Sequence, residues 1–346
     1  MKSFIDTERT FSGQPARLGV LLHRVDVGRG REELFTDQLP ELLRALAQSA
    51  RIASIRASNA IEGVEVATDR AAGLAGGGRF RNRNEREFAG YRDAVDGLMR
   101  TRPQPISVPL ILHLHRRIFQ HVGGRGGHFK AEDNQIVSFE TGSRQVVFRP
   151  VSARETPFMT TELVERYLDA QTRAIAHPLV LLCALVLDLL AIHPVADGNG
   201  RLARLTTTHE LLRVGYGVPR YVSLEQQIFE TKNGYYASLY ESQRDWHEAE
   251  HTIWPWTEYL VTALAETYDR LEDRVAAQRE ARGSSKQERV RAFILEQASP
   301  RFTIGDVRRA VPGISDQTIR LVLNAMKASG RIRPEGTGRG ACWTRV

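Results

Sequence analysis

Cysteine is almost missing from this chain: Cys183 and Cys342 are the only two in 346 residues. They lie far apart, in segments of different kinds, which excludes a disulfide framework and a cysteine-based zinc site. A reducing compartment is the natural setting, so a cytoplasmic location is expected. Long hydrophobic runs are missing as well. The longest, Pro178–Ile192 (PLVLLCALVLDLLAI), falls short of the roughly 20 residues that cross a bilayer, and Asp188 interrupts it. A buried core helix is expected there, with no membrane partner. The opening MKSFIDTERTFSGQPARL has no apolar stretch of the length a secretory leader needs.

What is present is ordinary for a folded protein. A hydrophobic share of 42% and a charged share of 26% exclude disorder throughout and fibrous architectures. The 48 Lys and Arg exceed the 41 Asp and Glu by seven, a surplus compatible with nucleic acid, nucleotide or plain solubility. The length suggests two or three domains. Residues 1–35 carry little periodic signal and read as an arm. Helical spacing of apolar residues predicts helices over Asp37–Ala60, Glu85–Met99, Val108–Phe119 and Pro157–His177, and dominates to about Ala281. Arg70–Arg83, with Gly73 and Gly76–Gly78, reads as a loop, and so does His121–Lys130. Short β-prone runs around Thr141-Gly142-Ser143 signal a hairpin over Asn134–Phe148. ARGSSKQ (Ala281–Gln287) reads as a linker.

The chemistry concentrates in His193-Pro-Val-Ala-Asp-Gly-Asn-Gly-Arg-Leu-Ala-Arg204, where the apolar helix runs into a short turn before the next helix. Gly198 and Gly200 permit close backbone approach, and N–H groups at a helix N-terminus make an anion cradle. Arg201 and Arg204 are three apart, on one helical face, and able to grip one polyphosphate. Asp197 is a hard oxygen ligand suited to the Mg²⁺ that accompanies nucleotides. His193 can take a proton near neutral pH. One base, one metal ligand, an N–H nest and two arginines are the parts that transfer from a triphosphate requires.

This segment resembles the signature of the Fic family, H-P-F-x-[D/E]-G-N-G-R-x-x-R, matching it at every polar position. The resemblance spans most of residues 40–260. It implies an all-α core with a small β-hairpin flap, and transfer of a nucleotidyl group, usually AMP from ATP, to a target hydroxyl. His193 would then deprotonate the Ser, Thr or Tyr of a target protein. Asp197 would hold Mg²⁺, while Gly198, Asn199 and Gly200 form the anion hole and Arg201 and Arg204 bind the outer phosphates. One departure is Val195, where the family carries a phenylalanine that anchors the loop in the core.

Upstream, Ser58-Asn-Ala-Ile-Glu62-Gly63 resembles the family's inhibitory motif, [S/T]-x-x-x-E-[G/N]. Glu62 would reach Arg204 and occupy the space of a γ-phosphate, one carboxylate competing with one phosphate for a guanidinium. Ser58, four residues earlier, would steady Glu62 by a hydrogen bond. The hairpin over 134–148 sits where the family carries the flap that pairs with a target backbone, and an ordinary structural hairpin fits equally. Tyr235 and Tyr236 resemble the family's paired tyrosines beside the adenine. His113 and His115 alternate, cannot share a helix face, and read as structural. Trp246, Trp254 and Trp256 read as core or inter-helix contacts, and Cys183 as an inert core thiol.

The tail, from Phe302, fits a winged helix-turn-helix domain. Thr303–Ala310 is one helix, Ser315 caps a second, and Arg331–Arg333 and Cys342–Arg345 are wing strands around Gly336–Gly340. Gln317, Thr318 and Arg320 open the second helix, where base-reading residues sit, and Arg331, Arg333, Arg339 and Arg345 could meet phosphates. DNA binding through 301–346 and a protein or dimer contact are both open.

The expected organisation is therefore an N-terminal helical region with an inhibitory helix (1–100), a Fic core (101–280) and a winged helix (288–346). The expected function is protein adenylylation, self-modification included, braked by Glu62. Transfer of another nucleotidyl or phosphoryl group, removal of AMP, and a nucleotide-sensing DNA-binding regulator are the alternatives. Family habit adds a homodimer.

Overall fold

A computed structural model describes residues 1–75, 77–123, 126–138, 145–336 and 342–345. The chain divides into two compact units, Met1–Glu272 and Asp273–Val346. Helices dominate the first: α1 (Thr7–Phe11), α2 (Ala16–Gln38), α3 (Pro40–Ile61), α4 (Thr68–Ala75), α5 (Arg83–Arg100), α6 (Val108–Phe119), α7 (Thr156–Thr172), α8 (Pro178–Ile192), α9 (Asn199–Arg213), α10 (Leu224–Glu230), α11 (Lys232–Gln243) and the start of α12 (Trp254–Ala292). Strands β1 (Ile136–Ser138) and β2 (Gln145–Phe148) form an antiparallel pair with a register shift between Ile136 and Val137. Helical periodicity, the caps Asn82 and Ser107, and Pro40 and Pro109 at helix starts put α3, α5 and α6 close to where the sequence predicts them.

The centre of the first unit is α8, buried from Leu179 to Ile192. Each of its leucines removed from water is worth roughly 1.5–3 kcal/mol. Asp188 is tolerated inside this helix because its carboxylate is fully satisfied. It accepts from Ser3 N–H (3.1 Å), Ser3 Oγ (2.7 Å) and Trp246 Nε1 (2.7 Å), and it pairs with the Met1 ammonium. Trp256 Nε1 donates to the Cys183 carbonyl at 2.9 Å. Burial pushes the Cys183 thiol well above its ordinary range, as an inert core thiol requires. Trp246 and Trp256 are buried, and Trp254 is half-buried.

In the second unit, helices α13 (Ile304–Ala310) and α14 (Asp316–Ala328) precede two strands, β4 (Ile332–Glu335) and β5 (Cys342–Arg345). Together with β3 (Arg301–Phe302) these form an antiparallel sheet in the order β3-β5-β4. Its core is separate and includes Phe302, Val307, Ile319, Leu323 and Ile332. A capping box between Thr303 and Asp306 starts α13, and Ser315 caps α14. Leu321 of α14 is exposed.

Three segments differ from the sequence reading. The N-terminal arm is largely helical: α2 buries Leu18, Leu21, Leu22, Val25 and Phe35. That stripe is broken in sequence by Gly28 and Glu32, which lie on the buried face. Glu32 accepts from the Tyr268 hydroxyl (2.9 Å), and a Cβ on Gly28 would lie 2.7 Å from the Tyr268 ring. Part of the 70–83 loop is helix α4, and the expected linker 281–287 continues α12. Gly76, Gly124, Arg125, the turn Thr141-Gly142-Ser143, and the wing residues Arg339 and Gly340 lie outside the described residues. No helix among the described residues is long and apolar enough to cross a membrane.

Helices α5 and α6 meet at Gly90, where a Cβ would stand 2.0 Å from the Ile118 carbonyl oxygen. That oxygen is backbone and cannot give way, so Gly90→Ala should destabilise the first unit by about 2–3 kcal/mol and lower Tm by roughly 5 °C. Gly97→Ala, at a site of α5 with open space around the added methyl, should leave Tm unchanged or slightly higher. Thermal unfolding of the two variants checks this.

Candidate active site

The turn between α8 and α9 is built by backbone geometry. His193 ends α8 in the left-handed region (φ 54°, ψ 62°), and its amide donates to the Leu189 carbonyl at 3.0 Å. A non-glycine residue there costs of order 1 kcal/mol and persists only where its surroundings impose it. Several contacts do so. Asn199 accepts from the Val195 amide (3.0 Å) and donates to the Val195 carbonyl (2.7 Å), closing the loop on itself. Asn134 Nδ2 also donates to the Val195 carbonyl, at 3.3 Å. Lys130 donates from its amide to the Pro194 carbonyl (3.0 Å), and from Nζ to the Ile192 carbonyl (3.1 Å) and Asn134 Oδ1 (2.9 Å). Burial, only partly opposed by Asp133, lowers this ammonium to a pKa of about 8. Val195 itself is fully buried, and both of its amide groups are clamped, so the loop is anchored without the larger aromatic.

His115 completes the frame. Its Nδ1 accepts from the Gly127 amide (3.0 Å), which leaves Nε2–H to donate to the Asp197 carbonyl (3.0 Å). Burial lowers its pKa to about 4, so the ring stays neutral in this role. The sequence reading treats His115 as structural. It is structural, and what it fixes is the turn that carries Asp197.

His193 Nδ1 lies 3.1 Å from the Leu190 carbonyl, which can only accept, so Nδ1 carries the proton and Nε2 keeps its lone pair. Burial lowers the ring pKa to about 4, with the Lys130 charge acting in the same direction. The side chain is thus a neutral base at physiological pH. Asp197, four residues on in the same turn, is exposed, with its carboxylate 3.7 Å from Arg83 Nη2.

Helix α9 starts at Gly198 (φ +82°), where a Cβ would stand 2.8 Å from the Phe119 ring. Only glycine fits both the backbone and the space. Arg201 and Arg204 point from α9 into the protein and are almost fully buried. Arg204 Nε donates to Ser58 Oγ (2.8 Å), and Nη2 donates to the Ser58 carbonyl (2.9 Å) and to Glu62 Oε1 (2.8 Å). Ser58 therefore steadies the arginine, whereas the sequence reading has it steadying Glu62. Burial is the largest influence and works against the Arg204 charge, but Glu62 together with Tyr235 and Tyr91 holds the guanidinium above its ordinary range. The Glu62 carboxylate also lies over Gly200, where a Cβ would be 2.3 Å from Oε1. Arg201 pairs instead with Glu87 (2.8 Å) and stacks over Phe119 with its guanidinium carbon 5.1 Å from the ring centroid. Tyr235 is buried against Trp256 and Tyr259 as core, and its neighbour Tyr236 is half exposed.

Residues 105–211 match the model of the Fic/DOC family. Over this span the chain matches a Fic domain. Curated proteins similar to it include the protein adenylyltransferase Fic of Drosophila yakuba, 32% identical over 135 residues, which are 39% of this chain and 24% of that one. The Drosophila melanogaster protein of the same name is 32% identical over 112 residues, 32% of this chain and 21% of that one. The matched part is thus about a quarter or less of these relatives' length. Among solved structures, a Fic family protein from Desulfovibrio desulfuricans superposes with a TM-score of 0.60 at 20% identity, covering 96% of each chain. Fic-1 of C. elegans superposes at 0.58 and 20% identity, covering 77% of this chain and 74% of that one. At these identities the likeness is one of fold.

Sequence reasoning missed Asn59, Glu87, Lys130 and Asn134 around the Fic loop. Arg83 and Glu87, four apart on α5, show only the spacing of an ordinary helical ion pair. A separate cavity of about 600 Å³, lined by Ser49, Ala53, Ala57, Phe88 and Phe229 among others, contains none of the loop residues. Following the His193 ring by NMR should give a titration midpoint near pH 4, leaving it neutral across pH 6–8. A midpoint near 6.5, the ordinary histidine value, would mean that the ring is not desolvated as described.

Proposed function

We propose that this protein transfers AMP from ATP to a Ser, Thr or Tyr hydroxyl of a target protein, itself included, and that Glu62 holds it in an inhibited state. The observation that carries the proposal is the neutral His193, whose Nε2 has no partner among the described residues, on the loop that also carries an exposed Asp197 and leads into the first amides of α9. In the reaction, His193 Nε2 takes the proton of the target hydroxyl, and the oxygen attacks the α-phosphorus of ATP. The bond from that phosphorus to the bridging oxygen of the β-phosphate breaks, and pyrophosphate leaves. The start of α9 turns its N–H groups and positive dipole end toward negative charge that builds there.

Asp197 supplies one hard, solvent-facing carboxylate, and no cluster of three or more acidic, histidine or cysteine ligands occurs among the described residues. That donor set fits Mg²⁺, which takes its remaining ligands from water and phosphate. When bound, the ion neutralises charge on the phosphates. Arg204 would grip an outer phosphate once Glu62 leaves it. The carboxylate over Gly200 and on Arg204 supports the braking role, since it takes both the partner and the space that a terminal phosphate needs. Tyr236 would border the nucleotide base, and Tyr235 would back it from the core.

The β1–β2 hairpin would receive the target backbone as an added strand along 134–148. Phe148 stacks on His247, with ring centroids 5.4 Å apart, and so ties the hairpin to the first unit. We read the second unit as a winged helix whose α14 exposes Gln317, Arg320 and Leu321 for contact with DNA or a protein.

Intact-mass analysis after incubation with ATP and Mg²⁺ tests the proposal. Glu62→Gly should gain one or more AMP groups, the native chain at least tenfold less, and Glu62→Gly with His193→Ala none. Equal labelling with and without His193 would overturn the catalytic reading, and equal labelling with and without Glu62 would overturn the brake.

A further inference from the structure

Glu87 sits on α5, far in sequence from the Fic loop, and its side chain is 5% exposed. A buried carboxylate persists only where it is paired. Glu87 serves two cations, one with each oxygen. Oε2 lies 2.8 Å from Arg201 Nη1, and Oε1 accepts from Arg83 Nε at 2.7 Å. Burial alone would raise its pKa, but the two arginines together hold it below the usual carboxylate range, so it is an anion at every working pH.

The consequence falls on Arg201. Glu87 fixes the Nη1 corner of the guanidinium, Asn59 Oδ1 lies 3.5 Å from the same nitrogen, and Phe119 covers one face. The remaining edge, Nε and Nη2, is the one with which a guanidinium makes paired bonds to an oxyanion. Nη2 borders Gly198, 3.7 Å from where a Cβ would be placed. Nε has no hydrogen-bond partner among the described residues, although it is buried. A buried charged donor without an acceptor is costly and calls for an explanation. An acceptor supplied by a ligand is one. Through Arg83, whose Nη2 lies 3.7 Å from Asp197, the same carboxylate also reaches the acidic side of the loop.

We infer that Glu87 is a positioning residue, holding Arg201 by one corner so that its Nε–Nη2 edge is presented to a phosphate at the Gly198 turn. This rests on the proposed nucleotide chemistry of the site. Glu87 touches neither nucleotide nor target. It acts by sparing Arg201 the search for its orientation, and a pre-organised guanidinium loses less freedom on binding than a free one.

The test is the affinity for a non-hydrolysable ATP analogue with Mg²⁺, measured by calorimetry in the Glu62→Gly background. Glu87→Gln should weaken binding about tenfold. Arg201→Ala should weaken it at least as much, and adding Glu87→Gln to Arg201→Ala should cost less than a further twofold, because the two act as one unit. In AMP transfer the Glu87→Gln loss should appear in KM for ATP more than in kcat. Should loss of the buried charge unfold that variant, Glu87→Asp keeps the charge, shortens the reach, and is expected to show the same weakening. Unchanged affinity in folded Glu87 variants, with Arg201→Ala still impaired, would overturn this inference alone. A tenfold loss that persists without Arg201 would overturn it too, marking Glu87 as general scaffolding. Undiminished affinity in Arg201→Ala would overturn the phosphate reading of the site, and the role of Glu87 with it.

Discussion

The arrangement around Arg204 constrains most of what this molecule does. A guanidinium this deeply buried cannot be left without an anion. Ser58 supplies two neutral acceptors and Glu62 supplies the charge. Helix α3 is thereby fastened to α9 through the group that a polyphosphate would seek. Glu62 follows the last turn of α3 and its side chain is still 29% exposed, whereas Ser58 is fully inside. The serine half of the contact thus belongs to the fold, while the glutamate half can be exchanged. One anion can replace another on Arg204 without leaving the arginine bare.

The rest of the site follows from making a tight turn after an apolar helix. Helix α8 is buried on all sides, so its C-terminus is held in place by the core. His193 inherits that rigidity, with its ring orientation set by the last turn of α8. Asn199, Asn134, Lys130 and His115 then hold the loop through backbone carbonyls and amides at Ile192, Pro194, Val195 and Asp197. The groups that the proposed chemistry uses are Nε2 of His193, which has no partner among the described residues, the exposed carboxylate of Asp197 beside Arg83 and the first amides of α9.

Much of this was legible in the sequence because it is local. The apolar run of α8, the glycines of the turn and the polar residues from His193 to Arg204 are contiguous, and their spacing reads directly as helix, turn and helix. The α3 pairing was legible through a motif. What stayed hidden is long-range. Glu87 meets Arg201 across more than a hundred residues, and nothing in the periodicity of α5 separates Glu87 from a solvated charge. Helix α2 was read as an arm because Gly28 and Glu32 lie on its buried face, where pattern reasoning expects apolar side chains. Glycine there admits Tyr268, and the glutamate bonds to its hydroxyl. Arg201 and Arg204, three residues apart, read in sequence as able to grip one polyphosphate; in the fold each arginine is also paired with its own carboxylate, Glu87 and Glu62, which the spacing does not reveal.

The central claim is that the Glu62 carboxylate stands where a terminal phosphate must bind. Calorimetry on the native chain and Glu62→Gly, each titrated with a non-hydrolysable ATP analogue and with ADP in Mg²⁺, tests it most directly. The account predicts that Glu62→Gly gains about tenfold or more in affinity for the ATP analogue and little for ADP, a differential of roughly 1.4 kcal/mol. Equal gains for both ligands, or none for either, would contradict it.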